Sequence, residues 1–76
     1  MPNIGFIGGG NMAASLIGGL LNAGLPASKI TVADPGQSQR ESLQQRFSVT
    51  TTTDNNQILD CEIIVLAVKP QLLKQV

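Results

Sequence analysis

Seventy-six residues make at most one small domain, and so short a chain buries a smaller fraction of its surface than a domain of about 100 to 150 residues, so it reads as part of something larger. With 42% hydrophobic and 13% charged residues, five basic against five acidic and a net charge of zero, it carries no electrostatic footprint for nucleic acid or a membrane surface. The apolar runs are too short for a transmembrane span and Met1-Pro2-Asn3 begins no signal peptide, so a cytoplasmic protein is expected.

A single cysteine, Cys61, excludes an internal disulfide, and the lack of histidine removes the usual base and the usual zinc ligand. Cys61 lies between acidic Asp60 and Glu62, surroundings that oppose a reactive thiolate. It is expected as a small buried hydrophobe.

The first strand is expected over about residues 3 to 8, where Ile4-Gly5-Phe6-Ile7 is the near-continuous apolar run of a central parallel strand. Gly8-Gly9-Gly10-Asn11-Met12-Ala13 follows and fits G-x-G-x-x-A. From Asn11 to about Ala23, Met12, Ala13, Leu16, Ile17, Leu20 and Leu21 recur at three- and four-residue intervals, which predicts the first helix. The glycine motif therefore sits at a strand-to-helix turn, the context that gives it meaning. There Gly8 permits a sharp reversal, Gly10 leaves room for a pyrophosphate against the main chain, and Ala13 lets helix and strand pack closely. The helix N-terminus then faces the diphosphate with free N–H groups and its positive dipole end. Gly18 and Gly19 inside the helix hint at a close backbone contact, or are tolerated without one. Gly24 and Pro26 end it.

Lys29 to Ala33 alternates polar and apolar with β-branched residues and predicts a second strand ending at Asp34, with Asp34-Pro35-Gly36 as a turn. Ser38-Gln39-Arg40-Glu41 reads as a capping box opening a mostly polar second helix, which holds to the core by Leu43 and Phe47 and ends near Arg46 or Phe47. Val49 with Thr50 to Thr53 gives a short third strand whose polarity suggests a sheet edge. Asp54-Asn55-Asn56-Gln57 repeats the capping pattern and introduces a helical turn carrying Ile58 and Leu59. Glu62 to Val68, the most apolar stretch, has the length of a fully buried parallel strand. Pro70 to Val76 then looks like a helix start.

The order β-α-β-α-β-α-β implies right-handed crossovers and a parallel sheet. The fold class is α/β, a partial Rossmann fold with about four strands in the order 3-2-1-4 and flanking helices. Its ligand crevice opens at the carboxyl ends of strands one and four, where the glycine turn meets Ala67-Val68-Lys69-Pro70. Asp34, 24 residues past Gly10, is placed to accept from adenosine ribose hydroxyls, which favours NAD(H). Arg40, with Gln37 and Ser38, could hold a 2′-phosphate instead, which would favour NADP(H); a solvated helix arginine has the same spacing. Lys69 could position a cofactor or substrate anion or be a plain loop lysine.

Phe6 to Ala13, Leu16-Ile17-Gly18-Gly19-Leu20 and Leu66-Ala67-Val68-Lys69-Pro70-Gln71 together closely resemble the amino-terminal domain of the pyrroline-5-carboxylate reductases, over essentially the whole chain. The glycine-rich part is shared with β-hydroxyacid dehydrogenases; Ala-Val-Lys-Pro-Gln is more specific. The resemblance implies reduction of 1-pyrroline-5-carboxylate to L-proline by hydride transfer from NADPH or NADH, the last step of proline biosynthesis. It also implies pyrophosphate over Ile7, Gly8, Gly9, Gly10, Asn11 and Met12, and the nicotinamide beside Ala67, Val68, Lys69 and Pro70. Asn55 is the candidate for the asparagine that contacts the adenosine side, although counting back from Lys69 falls nearer Asp54. Asp34 followed by proline departs from the arginine-bearing form of this loop and leaves NADPH against NADH open.

Relatives continue into a helical domain that forms the dimer and supplies most substrate and proton-donor contacts. The implied homo-oligomer would assemble through that domain, and this chain alone is expected to be inactive. Its fourth strand is expected to leave an exposed edge. A related hydroxyacid-type reductase and a non-catalytic dinucleotide-binding module are the competing readings.

Overall fold

The structure, a computed structural model, describes residues 2–67. Strand β1 spans Ile4–Ile7, helix α1 Asn11–Asn22, β2 Ile30–Ala33, α2 Gln37–Phe47, β3 Thr50–Thr52 and β4 Ile63–Leu66. Short 3-10 turns, Ala27–Lys29 and Asn55–Gln57, lead into β2 and towards β4. All pairings are parallel and the sheet order is β3-β2-β1-β4, the expected α/β Rossmann-like arrangement. Val68, Lys69, Pro70 and the helix start expected at Pro70 lie outside the described residues.

Alternation along the strands divides the sheet into two faces. Ile4 and Phe6 of β1 and Ile30 and Val32 of β2 join Ala13, Ala14 and Ile17 of α1 and Leu43 of α2 in one buried cluster. Gly5 points the other way, towards Ile58 and Cys61. Helix α2 is anchored by a single buried side chain, Leu43, with half-buried Phe47 beside it. Its first role is thus to close the core under β2 and α1. Strand β3 lies at the sheet edge, as its polarity suggested.

Several local expectations change. Helix α2 begins at Gln37, ahead of Ser38, and its N-cap is Gly36 with no side-chain cap, so the capping box does not form. Asp34 organises this turn instead: its Oδ1 accepts from the Gly36 amide at 2.7 Å, which starts the helix early. Glu41 is then used in a side-chain pair, accepting from Gln37 Nε2 at 2.8 Å. The second capping pattern does form in part, with Asp54 Oδ1 accepting from the Asn56 amide at 2.9 Å.

Strand β4 is shorter than expected and is not fully buried: Ile63, Ile64 and Leu66 are 45%, 42% and 67% exposed. It ends the described sheet, so β1 covers one of its edges while α1 and α2 lie over β1 and β2. Between α1 and β4 runs an open apolar groove of about 450 Å³, lined by Leu16, Gly19, Leu20, Ile63 and Val65 among others. Leu16 is accordingly exposed, and Met12 in the first turn of α1 is exposed too, despite their places in the helical periodicity. Gly18 and Gly19 make no close approach: an added Cβ on Gly18 would find Phe47 Cε1 at an ordinary 3.7 Å, and one on Gly19 would meet open space. Cys61 is half-buried, since it sits in the turn before β4 on the less covered face.

Candidate functional site

The β1-to-α1 turn is shaped by three backbone facts. Gly8 donates to the Ala33 carbonyl at 2.8 Å, so the chain leaves β1 still tied to β2. Gly8 then takes φ 101°, a left-handed conformation that a side chain strongly disfavours. Gly10 is the N-cap of α1, in extended geometry, and the helix ladder begins with the Ala14 amide on the Gly10 carbonyl at 3.0 Å.

The amides of Asn11, Met12 and Ala13 precede that first helical bond and have no intrahelical acceptor. Among the described residues no side chain caps them, and no acidic residue occupies the first turn. An added Cβ on Gly10 would find nothing within 4 Å, so the main chain there is open to approach. Free donors, a positive dipole end and bare backbone together make an anion seat fitted to a phosphate. A diphosphate-bearing dinucleotide fits that geometry and chemistry.

Asp34 joins this turn to the next. One carboxylate oxygen, Oδ2, accepts from the Gly9 amide at 2.7 Å, while Oδ1 accepts from the Gly36 amide at 2.7 Å. Its own amide donates to Thr52 at 3.0 Å, which also brings β3 to this end of the sheet. Arg40 folds back from α2 and its Nη1 donates to the Asp34 carbonyl at 2.8 Å. The arginine is therefore held beside Asp34 without pairing to its carboxylate.

Ile7, Gly8, Gly9, Gly10, Asn11 and Met12 thus meet Asp34 and Arg40 at the carboxyl ends of β1 and β2. Ala67 reaches the same end, its amide donating to the Ile7 carbonyl at 2.8 Å. Asn55 is exposed in the 3-10 turn after β3. Val68, Lys69 and Pro70 lie beyond the described residues. The sequence points to Gly36 only as a turn residue and to Leu43 only as a core contact, and not to their places at the site: Gly36 is the second end of the Asp34 clasp, and a Leu43 methyl lies beneath Gly9. The Asp-Pro-Gly turn was the available signal for the first; nothing in a helical pattern announces the second.

Other chemistry is sparse. Cys61 has its thiol pKa pushed up, first by burial and then by the neighbouring Glu62 and Asp60 charges. Glu62 is held below the usual carboxylate range by the Asn3 amide, which donates to its carboxylate. Among the described residues no group of three or more His, Cys, Asp or Glu could hold a metal ion. Nor is any helix there long and apolar enough to cross a membrane.

Comparison with known proteins agrees with this geometry. The pyrroline-5-carboxylate reductase of Pseudomonas aeruginosa is 47% identical over 76 residues, covering 99% of this chain and 28% of that protein. The namesake from Vibrio alginolyticus is 42% identical over 74 residues, covering 96% of this chain and 27% of that protein. The solved structure of a pyrroline-5-carboxylate reductase from Coxiella burnetii superposes with a TM-score of 0.86 at 39% identity, covering 97% of this chain and 28% of that one. The chain therefore spans little more than a quarter of the length of the relatives it matches. Residues 3–76 match the family described as NADP oxidoreductase coenzyme F420-dependent, and the chain belongs to that family.

Proposed function

We propose that this chain is the dinucleotide-binding part of a pyrroline-5-carboxylate reductase, an enzyme that reduces the ring imine of 1-pyrroline-5-carboxylate to L-proline. The observation that supports it most is the α1 N-terminus, with uncapped amides and open backbone at Gly10, in a chain 47% identical to one such reductase. When bound, the reduced nicotinamide supplies the hydride that goes to the imine carbon, while the nitrogen gains a proton.

In this reading the chain's own residues bind and orient. The Asn11 and Met12 amides hold the diphosphate, and Gly8 and Gly10 let it approach the main chain. Asp34 and Arg40 lie where the adenosine ribose belongs, with Asn55 further along the adenosine side. Ala67, and the Val68-Lys69-Pro70 sequence after it, belong to the nicotinamide side. Orientation of this kind acts on rate by holding hydride donor and imine together, and substrate and proton-donor contacts fall to the helical domain that the resemblance implies, which also carries the homo-oligomer. Cytoplasmic location is part of the same proposal.

The test is catalysis by the full-length polypeptide. Oxidation of NADH or NADPH that depends on added 1-pyrroline-5-carboxylate, with proline as product, is the expected result. A protein that oxidised a hydroxyacid and left the imine untouched would overturn the reading in favour of a hydroxyacid-type reductase. Dinucleotide binding with neither activity would favour a non-catalytic module.

A further inference from the structure

We propose that Asp34 is a positioning residue for the whole dinucleotide, acting through the glycine turn, rather than only an acceptor for one ribose. This rests on the dinucleotide-binding reading above. The geometry is that of a clasp. Oδ2 holds the Gly9 amide across 25 residues of sequence and Oδ1 holds the Gly36 amide, both at 2.7 Å. One carboxylate thereby fixes the position of the β1–α1 turn relative to the β2–α2 turn.

The consequence for the diphosphate seat follows from the peptide planes. With the Gly8 amide on the Ala33 carbonyl and the Gly9 amide on the Asp34 carboxylate, the peptide groups entering Gly8 and Gly9 are both held from the carboxyl end of β2. Gly9 donates inward, towards protein, so the donors left for a phosphate are the Gly10 amide and those of the first turn of α1. Fixing Gly9 fixes where Gly10 leaves the turn and so where the first helical amides point. That arrangement is made before a ligand arrives, and preorganisation of this kind appears as affinity.

The chemistry requires a carboxylate of this length. Both partners are N–H donors, so both side-chain oxygens must accept. An amide in place of the carboxylate would turn a donor towards one of the two N–H groups. A glutamate keeps the charge and the capacity to accept from a ribose, but its longer stem displaces the carboxylate from the two amides.

The experiment measures NADH and NADPH affinity for the full-length polypeptide and for its Asp34→Asn and Asp34→Glu variants, by fluorescence titration. The diphosphate is common to both cofactors. Both variants are expected to bind each cofactor about tenfold more weakly or worse, with the two losses alike. Faster hydrogen exchange at the Gly9 amide, at an otherwise retained melting temperature, is the accompanying signature. NADPH affinity unchanged or raised in Asp34→Asn, or NADH affinity retained in Asp34→Glu, would confine Asp34 to the ribose and overturn the inference. If Asp34→Asn fails to fold, Asp34→Glu and the wild-type Gly9 exchange rate decide: a Gly9 amide unprotected in the folded wild type sinks the clasp. Wild-type protein that binds neither cofactor removes the functional reading itself, a separate outcome.

Discussion

Gly9 lies directly above Leu43: a Cβ added to the glycine would come to 3.0 Å from Leu43 Cδ1. The floor of the candidate phosphate turn is therefore the one fully buried side chain of α2. Gly8, its neighbour, is constrained differently, by its φ of 101°. Gly9→Ala asks the tip of Leu43 to yield by a few tenths of an ångström and brings the new methyl to 3.3 Å from Asp34 Oδ2, and should cost about 1 kcal/mol. Gly8→Ala forces a left-handed residue and should cost about 1–2 kcal/mol. Urea unfolding of the two variants checks the order, and a Gly9→Ala cost larger than that of Gly8→Ala would contradict it.

Arg40 bears on cofactor choice. Because its guanidinium is held on the Asp34 carbonyl, it stands beside the expected ribose with further donors in its fork. Arg40→Ala in the full-length polypeptide should weaken NADPH about tenfold or more and leave NADH nearly unchanged. Equal losses, or none, would remove Arg40 from the 2′-phosphate role.

Gly5 and Ile58 form a size-coupled pair on the opposite face. A Cβ at Gly5 would lie 2.5 Å from Ile58 Cγ2 and 3.0 Å from Cys61 Sγ, and Ile58 is fully buried. Gly5→Ala alone should destabilise by about 1–3 kcal/mol through overpacking. Combined with Ile58→Ala, part of that cost should vanish, giving a coupling of about 0.5 kcal/mol or more in a double-mutant cycle. Strict additivity would mean that the turn carrying Ile58 moves freely.

Glu62 contributes to the acid limit of stability. Its folded pKa lies below its ordinary value because the Asn3 amide donates to the carboxylate, so the ionised form is favoured in the fold. The contribution is fully present above the ordinary carboxylate range and is lost as pH falls through the folded pKa. Being exposed, it is small. Wild type and Glu62→Gln should therefore differ in stability near neutrality and converge in acid; a difference that grew as pH fell would reverse the assignment.

Cys61 should be a slow nucleophile. Its raised pKa keeps it as a thiol at neutral pH, with partial burial and two flanking carboxylates opposing ionisation. Iodoacetamide labelling of the folded chain should be slower at pH 7 than for a free cysteine and should climb through a midpoint above that of the free thiol. A midpoint below it would point to a positive neighbour that the fold does not show.

The fold was legible where local pattern and tertiary role coincide. The apolar run into Gly8 and the three- and four-residue spacing after Asn11 report β1 and α1 directly, and the strand order follows once the glycine turn marks the alternation of strands and helices as a Rossmann pattern. The start of α2 was misread because Ser38 and Glu41 have the chemistry of a cap but Asp34, on the preceding strand, reaches Gly36 first. Burial of β4 was misread because hydrophobicity belongs to a residue and burial to its neighbours: Ile64 and Leu66 are as apolar as Ile30, yet Ile30 lies under α1 and α2. For the site, residue types placed Gly8, Gly10 and Asp34 together, while the partners of the Asp34 carboxylate depend on distances no spacing rule contains.

The pairing of β1 with β4 sets a schedule for the chain. Ile4 is in register with Ile30 on one side and with Ile63 on the other. The β1-α1-β2 unit closes over a short loop of chain, whereas β4 must return past α2 and β3 to reach the strand made first. During synthesis the glycine turn, with its Gly8 bond to Ala33, can form while one edge of β1 still waits. That waiting edge is the interval in which a nascent chain is most exposed to mispairing, and it closes when Ile63 to Leu66 arrive.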